Sequence, residues 1–182
     1  MSGQNAVAVF GSSQTDPGTK EWGDAESVGI ALAGAGLAVI TGGYGGTMEA
    51  VSKGASESDG HVIGVTAPPL FPGRHEANPY VEELIEAAGL ANRIGIMMDR
   101  AAGTMALPGS IGTATELLLA WNVNHIARRN VGIRVPTVAI GEGWGAVAGA
   151  LVSAIDAFPG DVHLVDTSDE GLEWILDQLN AL

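Results

Sequence analysis

Three runs of small residues are spaced as they would be if each closed over an anion. They are Gly11-Ser12, Gly42-Gly43-Tyr44-Gly45-Gly46-Thr47 and Pro108-Gly109-Ser110-Ile111-Gly112-Thr113. Each follows a short apolar run, and the second and third lead straight into helical patterns. Glycine lets the main chain turn sharply and approach a ligand closely. A helix N-terminus adds unpaired N–H donors and partial positive charge. Such a junction holds a phosphate without any lysine. On this reading Gly11, Ser12, Gly42, Gly43, Gly45, Gly46 and Thr47 form one wall of a ligand site, and Gly109, Ser110, Ile111, Gly112 and Thr113 form the other. The plainer reading is that these glycines only make tight turns and close helix–strand contacts. Neither loop continues into the Gly-Lys-Ser/Thr of a Walker A motif, and no G-x-G-x-x-G is followed about 20 residues later by an acid, so a nicotinamide cofactor is unsupported.

Few side chains near these loops are suited to chemistry. Glu116 closes the pattern Thr113-Ala114-Thr115-Glu116, a T-x-x-E capping box by spacing, and the same pattern recurs at Thr167–Glu170. Arg93, with Arg100 two turns further on, reads by itself as a helix residue facing solvent; Arg74 lies in a proline-rich stretch and could clamp a ligand. Trp121 and His125, one turn apart, read as helix packing. His61, His75, His125 and His163 show no metal-ligand spacing, and Ser12 and Ser13 no nucleophile elbow, so neither a metal nor another cofactor is expected.

The elements that must carry these residues alternate. Ala6–Phe10, Leu37–Ile40, His61–Thr66, Thr104–Leu107, Pro136–Ile140 and Val162–Asp166 read as buried strands. Between and after them come helices near Pro17–Ala35, Thr47–Asp59, Leu90–Ala102, Thr113–Arg129, Trp144–Ala157 and Ser168–Leu179, while 67–80, with four prolines, reads as a long loop. Alternation of this kind requires right-handed crossovers. It predicts a single α/β domain over 1–182: a three-layer Rossmann-like fold, its mostly parallel sheet carrying helices on both faces. The first four strands should be adjacent and parallel. Ligands of such folds sit at the carboxyl ends of the strands.

Composition narrows the partners. A formal charge of −13 opposes binding to a nucleic acid polymer or an anionic membrane, leaving a small phosphorylated ligand held by main-chain groups. The absence of cysteine excludes disulfides and thiolate chemistry and is compatible with a cytoplasmic address. Residues 27–48 carry no charge, but their seven glycines make this a strand and turn rather than a membrane span. The start of the chain lacks the basic and apolar regions of a signal peptide.

Pro108-Gly109-Ser110-Ile111-Gly112-Thr113-Ala114-Thr115-Glu116 resembles the PGGxGTxxE signature of the LOG family. Gly42-Gly43-Tyr44-Gly45-Gly46-Thr47-Met48 looks like that family's glycine loop, and Arg93, fifteen residues before Pro108, stands where its active-site arginine does; Met97 fits the surrounding pattern. The resemblance runs from Val7 to Ile140. It implies hydrolysis of the N-glycosidic bond of a nucleoside 5′-monophosphate, releasing base and ribose 5-phosphate, with Arg93 and Glu116 catalytic. It also implies a homodimer, with Trp121 buried or near the interface. Phosphate would rest on Gly109–Thr113, ribose against Glu116, and the base towards the other glycine loop and Arg93. Ser110 replaces the second glycine of PGG, Ile94 replaces a lysine, and Glu49 replaces a glycine; these departures bear on the substrate more than on the fold. The wider fold family includes a molybdenum-cofactor carrier, so a non-catalytic nucleotide or molybdenum-cofactor binding protein is the alternative, and a structural dimer with a vestigial pocket the third reading.

Overall fold

A computed structural model of the chain describes residues 5–71, 76–130, 132 and 134–181. In chain order its elements are β1 (Ala6–Phe10), α1 (Lys20–Gly34), β2 (Ala38–Thr41), α2 (Thr47–Ser56), β3 (Val62–Thr66), β4 (Glu83–Glu86), α3 (Leu90–Arg100), β5 (Gly103–Ala106), α4 (Ile111–Asn130), β6 (Thr137–Ile140), α5 (Glu142–Ala154), β7 (His163–Val165) and α6 (Ser168–Asn180).

All five residues of β1 are buried, as befits a strand covered on both faces, and β1 lies at the middle of a sheet ordered β4-β3-β2-β1-β5-β6-β7. Every neighbouring pair is parallel, so the four strands expected to be adjacent are so. Strand side chains alternate faces, and the core divides accordingly. Ala6, Ala8 and Phe10 pack with Met97 of α3, Leu117 and Trp121 of α4 and Trp144 of α5. Val7 and Val9 pack with Val28 and Leu32 of α1, Val51 of α2 and Ile175 of α6. The result is the three-layer Rossmann-like fold. Among the described residues no helix is long and apolar enough to cross a membrane.

Strand β4 escapes the sequence reading. It pairs with β3 from Glu83 to Glu86, and its burial alternates between half-buried and exposed. It is an edge strand, where charge blunts further pairing at the expense of the apolar pattern by which strands are recognised. Of the long loop, Arg74 and His75 lie outside the described residues.

Three helix starts differ from expectation, α5 beginning at Glu142 instead of Trp144. Helix α1 begins at Lys20 with Thr19 as its cap, accepting from the Trp22 N–H, so Pro17 precedes the helix instead of opening it. Helix α4 begins at Ile111, two residues before the expected start, with the Ser110 hydroxyl accepting the Gly112 N–H at 3.4 Å. That shift moves Glu116 into the second turn, out of reach of a cap. The capping box forms instead at Thr167 and Glu170, where both reciprocal bonds are present.

The chain leaves β1 for β2, β3 and β4 on one side, then returns to β5 on the other. The crevice outside the carboxyl ends of β1 and β5 is therefore the topological switch point, where open α/β sheets bind ligands.

Candidate active site

Arg93 comes from the first turns of α3 and Glu116 from the second turn of α4, two helices on the same face of the sheet. The Arg93 Nη1 donates to Glu116 Oε1 at 3.1 Å, and its Nε donates to the Val65 carbonyl, in the last part of β3, at 2.7 Å. Both side chains are buried. The remaining guanidinium nitrogen, Nη2, lies 3.8 Å from the Met48 sulfur, and the Tyr44 ring stands 5.9 Å from the guanidinium carbon. An arginine facing solvent is thus not what the fold makes of Arg93.

The glycine loop after β2 leaves the room for this arrangement. A Cβ on Gly42 would stand 1.7 Å from Arg93 Nη2, so only glycine allows the guanidinium to lie there. At Gly46, which caps α2 with φ +73°, a Cβ would meet the Ser12 carbonyl oxygen at 2.4 Å. The Thr47 N–H donates to that same carbonyl at 2.8 Å, and the Thr47 hydroxyl is 2.9 Å from that of Thr15. Gly11 completes the seam, its Cα lying against the Thr47 methyl. Gly11, Ser12, Gly46 and Thr47 are therefore one tightly packed junction between the loops after β1 and β2.

Burial sets the electrostatics of the pair. It pushes the Glu116 carboxyl up to about 7, because desolvation of the charged form outweighs the pull of the Arg93 guanidinium and its hydrogen bond. A carboxyl so placed exchanges protons near neutral pH, as a general base or acid must.

The first turn of α4 lies beside this pair. Gly109, Ser110, Ile111 and Gly112 are exposed, whereas Thr113 is buried. Ile111 and Gly112, expected in a loop, join Thr113 in supplying first-turn N–H groups of a 20-residue helix. The Thr113 hydroxyl oxygen is buried without a hydrogen-bond partner among the described residues, a state that costs stability until something accepts its proton.

At the switch point lies a cavity of about 650 Å³. Ser12, Thr47, Gly109 and Ser110 line it, with Thr15, Lys20 and Thr167 nearby on its walls, whereas Arg93 and Glu116 are not among its lining residues. Of the expected site residues, Ser12, Thr47, Gly109 and Ser110 thus reach one cavity, whereas Gly11, Gly42, Gly43, Gly45, Gly46, Ile111, Gly112 and Thr113 do not line it, and the two charged residues are brought to each other. Glu49 does not reach the cavity wall; its carboxylate leans towards Gly45. Arg100 is not part of the site, since it pairs with Glu83 at 2.5 Å on the surface. Trp121 is buried and its indole N–H donates to the Phe158 carbonyl at 3.1 Å, while His125 approaches the buried Asp161 at 3.6 Å; both are packing residues. Among the described residues no cluster of His, Asp and Glu is arranged to hold a metal ion.

Sequence reasoning missed Asn78, which is buried against the glycine loop through bonds to Gly43 and Tyr44. Nothing in the stretch 76–80 marks it out; only Asn78-Pro79 reads, as a turn.

The family model described as the SLOG cluster4 family matches residues 4–132. A cytokinin riboside 5′-monophosphate phosphoribohydrolase of Mycobacterium marinum is 31% identical over 145 residues, covering 79% of this chain and 73% of that protein. The enzyme of the same name from Mycobacterium tuberculosis is 35% identical over 103 residues, covering 56% of this chain and 54% of that protein. Among solved structures, a molybdenum cofactor binding protein of Rippkaea orientalis superimposes with a TM-score of 0.75 at 22% identity, covering 96% of each chain. At that identity the likeness carries the fold and nothing more.

Proposed function

The chain belongs to the SLOG cluster4 family, bearing out its LOG resemblance, and from that premise we propose that it hydrolyses the N-glycosidic bond of a nucleoside 5′-monophosphate. The observation that carries this reading is the buried pair of Arg93 and Glu116 beside the N-terminus of α4. The phosphate rests on the first-turn N–H groups from Ile111 to Thr113, favoured by the helix dipole, and the Thr113 hydroxyl gains its missing partner there. The ribose then lies towards Glu116, one turn further along the same helix.

The bond between C1′ and the base nitrogen breaks with its electron pair going to the base, and positive charge develops on the ribosyl ring. Ionised Glu116 stabilises that charge and takes a proton from the water that adds to C1′. The proton passes to the departing base, so the products are free base and ribose 5-phosphate. Arg93 holds Glu116 in place and offers its remaining N–H groups to the ligand. The relatives named above as phosphoribohydrolases support this assignment. The test is incubation with a panel of nucleoside 5′-monophosphates and detection of free base; the reading requires release from at least one.

One observation favours binding without catalysis. The cavity of about 650 Å³ touches Gly109, Ser110 and Thr47 but neither Arg93 nor Glu116, as a carrier of a nucleotide or of molybdenum cofactor would allow. Tight monophosphate binding with no base released from any of them would select that reading.

We also propose a homodimer through the outer face of α4. Ile111, Leu118, Leu119 and Ile126 are exposed there, and Ile155 and Phe158 extend the apolar area beyond the end of α5. Patches of this kind mark interaction surfaces. Trp121, turned into the core, underlies the patch without entering it.

A further inference from the structure

The guanidinium of Arg93 is held from below by Val65 and Glu116, and the Gly42–Tyr44 turn lies over it. Within its own stretch the Gly43 N–H donates to the buried Thr41 hydroxyl at 3.2 Å, but the glycines of the turn contribute no side chains to anchor it further. Both carbonyls of the turn, those of Gly43 and Tyr44, are tied by Asn78, from the loop before β4. The Asn78 N–H donates to the Gly43 carbonyl at 2.7 Å, and its side-chain Nδ2 donates to the Tyr44 carbonyl at 3.0 Å. Its Oδ1 accepts the Tyr80 N–H at 3.2 Å, which fixes the side chain in one rotamer. The residue is buried, so these bonds are not shared with bulk solvent. Tyr44 is tied at its far end too, where its hydroxyl accepts the Ala67 N–H at 3.0 Å.

We infer that Asn78 is a positioning residue for Arg93, acting through the Gly42–Tyr44 turn. The inference rests on the hydrolase reading for its consequence in catalysis, not for its structural content. With the strap in place, Gly42 leaves room for Arg93 Nη2 at a single depth, and the guanidinium stays within hydrogen-bond reach of Glu116. Without it the turn lifts, the guanidinium gains freedom, and the Glu116 carboxylate loses part of the charge that opposes its protonation. Arg93 is the charged group paired with that carboxylate, so a change in its placement is read directly in the titration of Glu116.

The test uses Asn78→Ala and Asn78→Ser in the full chain. Serine keeps a small polar group able to cap the Tyr80 N–H, but it cannot reach the Tyr44 carbonyl, and it serves if the alanine variant folds poorly. Carbon-13 NMR of the glutamate carboxyls, with Glu116→Gln to assign the resonance, should show Glu116 titrating about one unit higher in either variant. Turnover of a hydrolysed monophosphate should fall about tenfold or more, with KM changing much less, as expected when a catalytic group is displaced and not a binding one. A lowered melting temperature with an unmoved Glu116 titration would overturn the assignment and leave Asn78 a structural residue. The titration does not depend on turnover. If the parent releases no base from any monophosphate, the functional reading fails while the Asn78 assignment is still decided.

Discussion

Arg93 and Glu116 stand 23 residues apart in the chain and 3.1 Å apart in space, joined across the gap between α3 and α4 with their side chains 7% and 9% exposed. A buried pair of this kind adds little to stability compared with apolar packing, because desolvation offsets most of its attraction. The pair is thus poorly accounted for by stability, which leaves room for the catalytic role proposed for it.

Glu116→Gln preserves the shape of the side chain and an oxygen to accept from Arg93, but removes the negative charge. If that charge stabilises the ribosyl centre, turnover should drop by roughly 100-fold or more, equivalent to about 3 kcal/mol. Affinity for the monophosphate should change far less, since the phosphate is held on the main chain of α4. Rates of base release and binding isotherms for parent and variant check this; equal turnover would remove Glu116 from the mechanism.

The raised titration of Glu116 has a consequence for stability with a definite sign. The carboxyl titrates near 4.5 when unfolded and near 7 when folded. Between these values the folded protein holds a proton that the unfolded chain has released, so stability falls as pH rises through the window and levels off above it. The loss is on the order of 3 kcal/mol. Urea unfolding at pH 5 and pH 8 should show the parent losing more stability than Glu116→Gln over that interval. On the hydrolase reading, base release should rise through about pH 7 as the carboxylate forms.

Gly42→Ala places a methyl group where Arg93 Nη2 now lies, 1.7 Å away. The guanidinium must move, and Glu116 is left with a displaced partner in a buried setting. A cost of about 1–3 kcal/mol in thermal or chemical unfolding is expected. Base release should fall at least as far as in an Arg93→Ala variant that still folds.

Thr113→Val replaces a buried hydroxyl that has no partner among the described residues with a methyl of nearly the same size. Removing such a group leaves the free protein as stable or up to about 1 kcal/mol more stable, the reverse of the usual result for a buried polar deletion. If the hydroxyl meets the phosphate, monophosphate affinity should weaken about fivefold, the equivalent of one hydrogen bond. Differential scanning calorimetry and titration calorimetry read the two effects separately.

Leu118→Glu combined with Ile126→Glu puts two charges on the exposed apolar face of α4. Light scattering should give twice the 18.5 kDa chain mass for the parent and the chain mass for the double variant. A monomeric parent at micromolar concentration would dispose of the dimer.

Much of the fold is legible from short-range pattern. The run Ala6–Phe10 announces a central strand because both its faces must be apolar, and the alternation of strands with helices imposes parallel pairing through its crossovers. Strand β4 is not legible, because Glu83 and Glu86 at the sheet edge have no need of the pattern that marks a core strand. The start of α4 is misjudged by two residues because Thr113 and Glu116 satisfy a local rule for capping that Ser110 in fact fulfils. The same local rule is correct at Thr167 and Glu170, where no distant partner competes for the carboxylate.

The sequence by itself determined the architecture, the two glycine loops and the residue types available for chemistry, since all of these follow from periodicity, backbone freedom and composition. Only the tertiary structure decided what those residues do to one another. It turned Arg93 inward, took Glu116 from a capping role to an ion pair, set Asn78 against the Gly43–Tyr44 turn and left the Thr113 hydroxyl without a partner among the described residues. The reason is physical: propensity and capping act within a few residues along the chain, whereas burial, desolvation and pairing depend on which segments meet, and that is settled when the helices pack on the sheet.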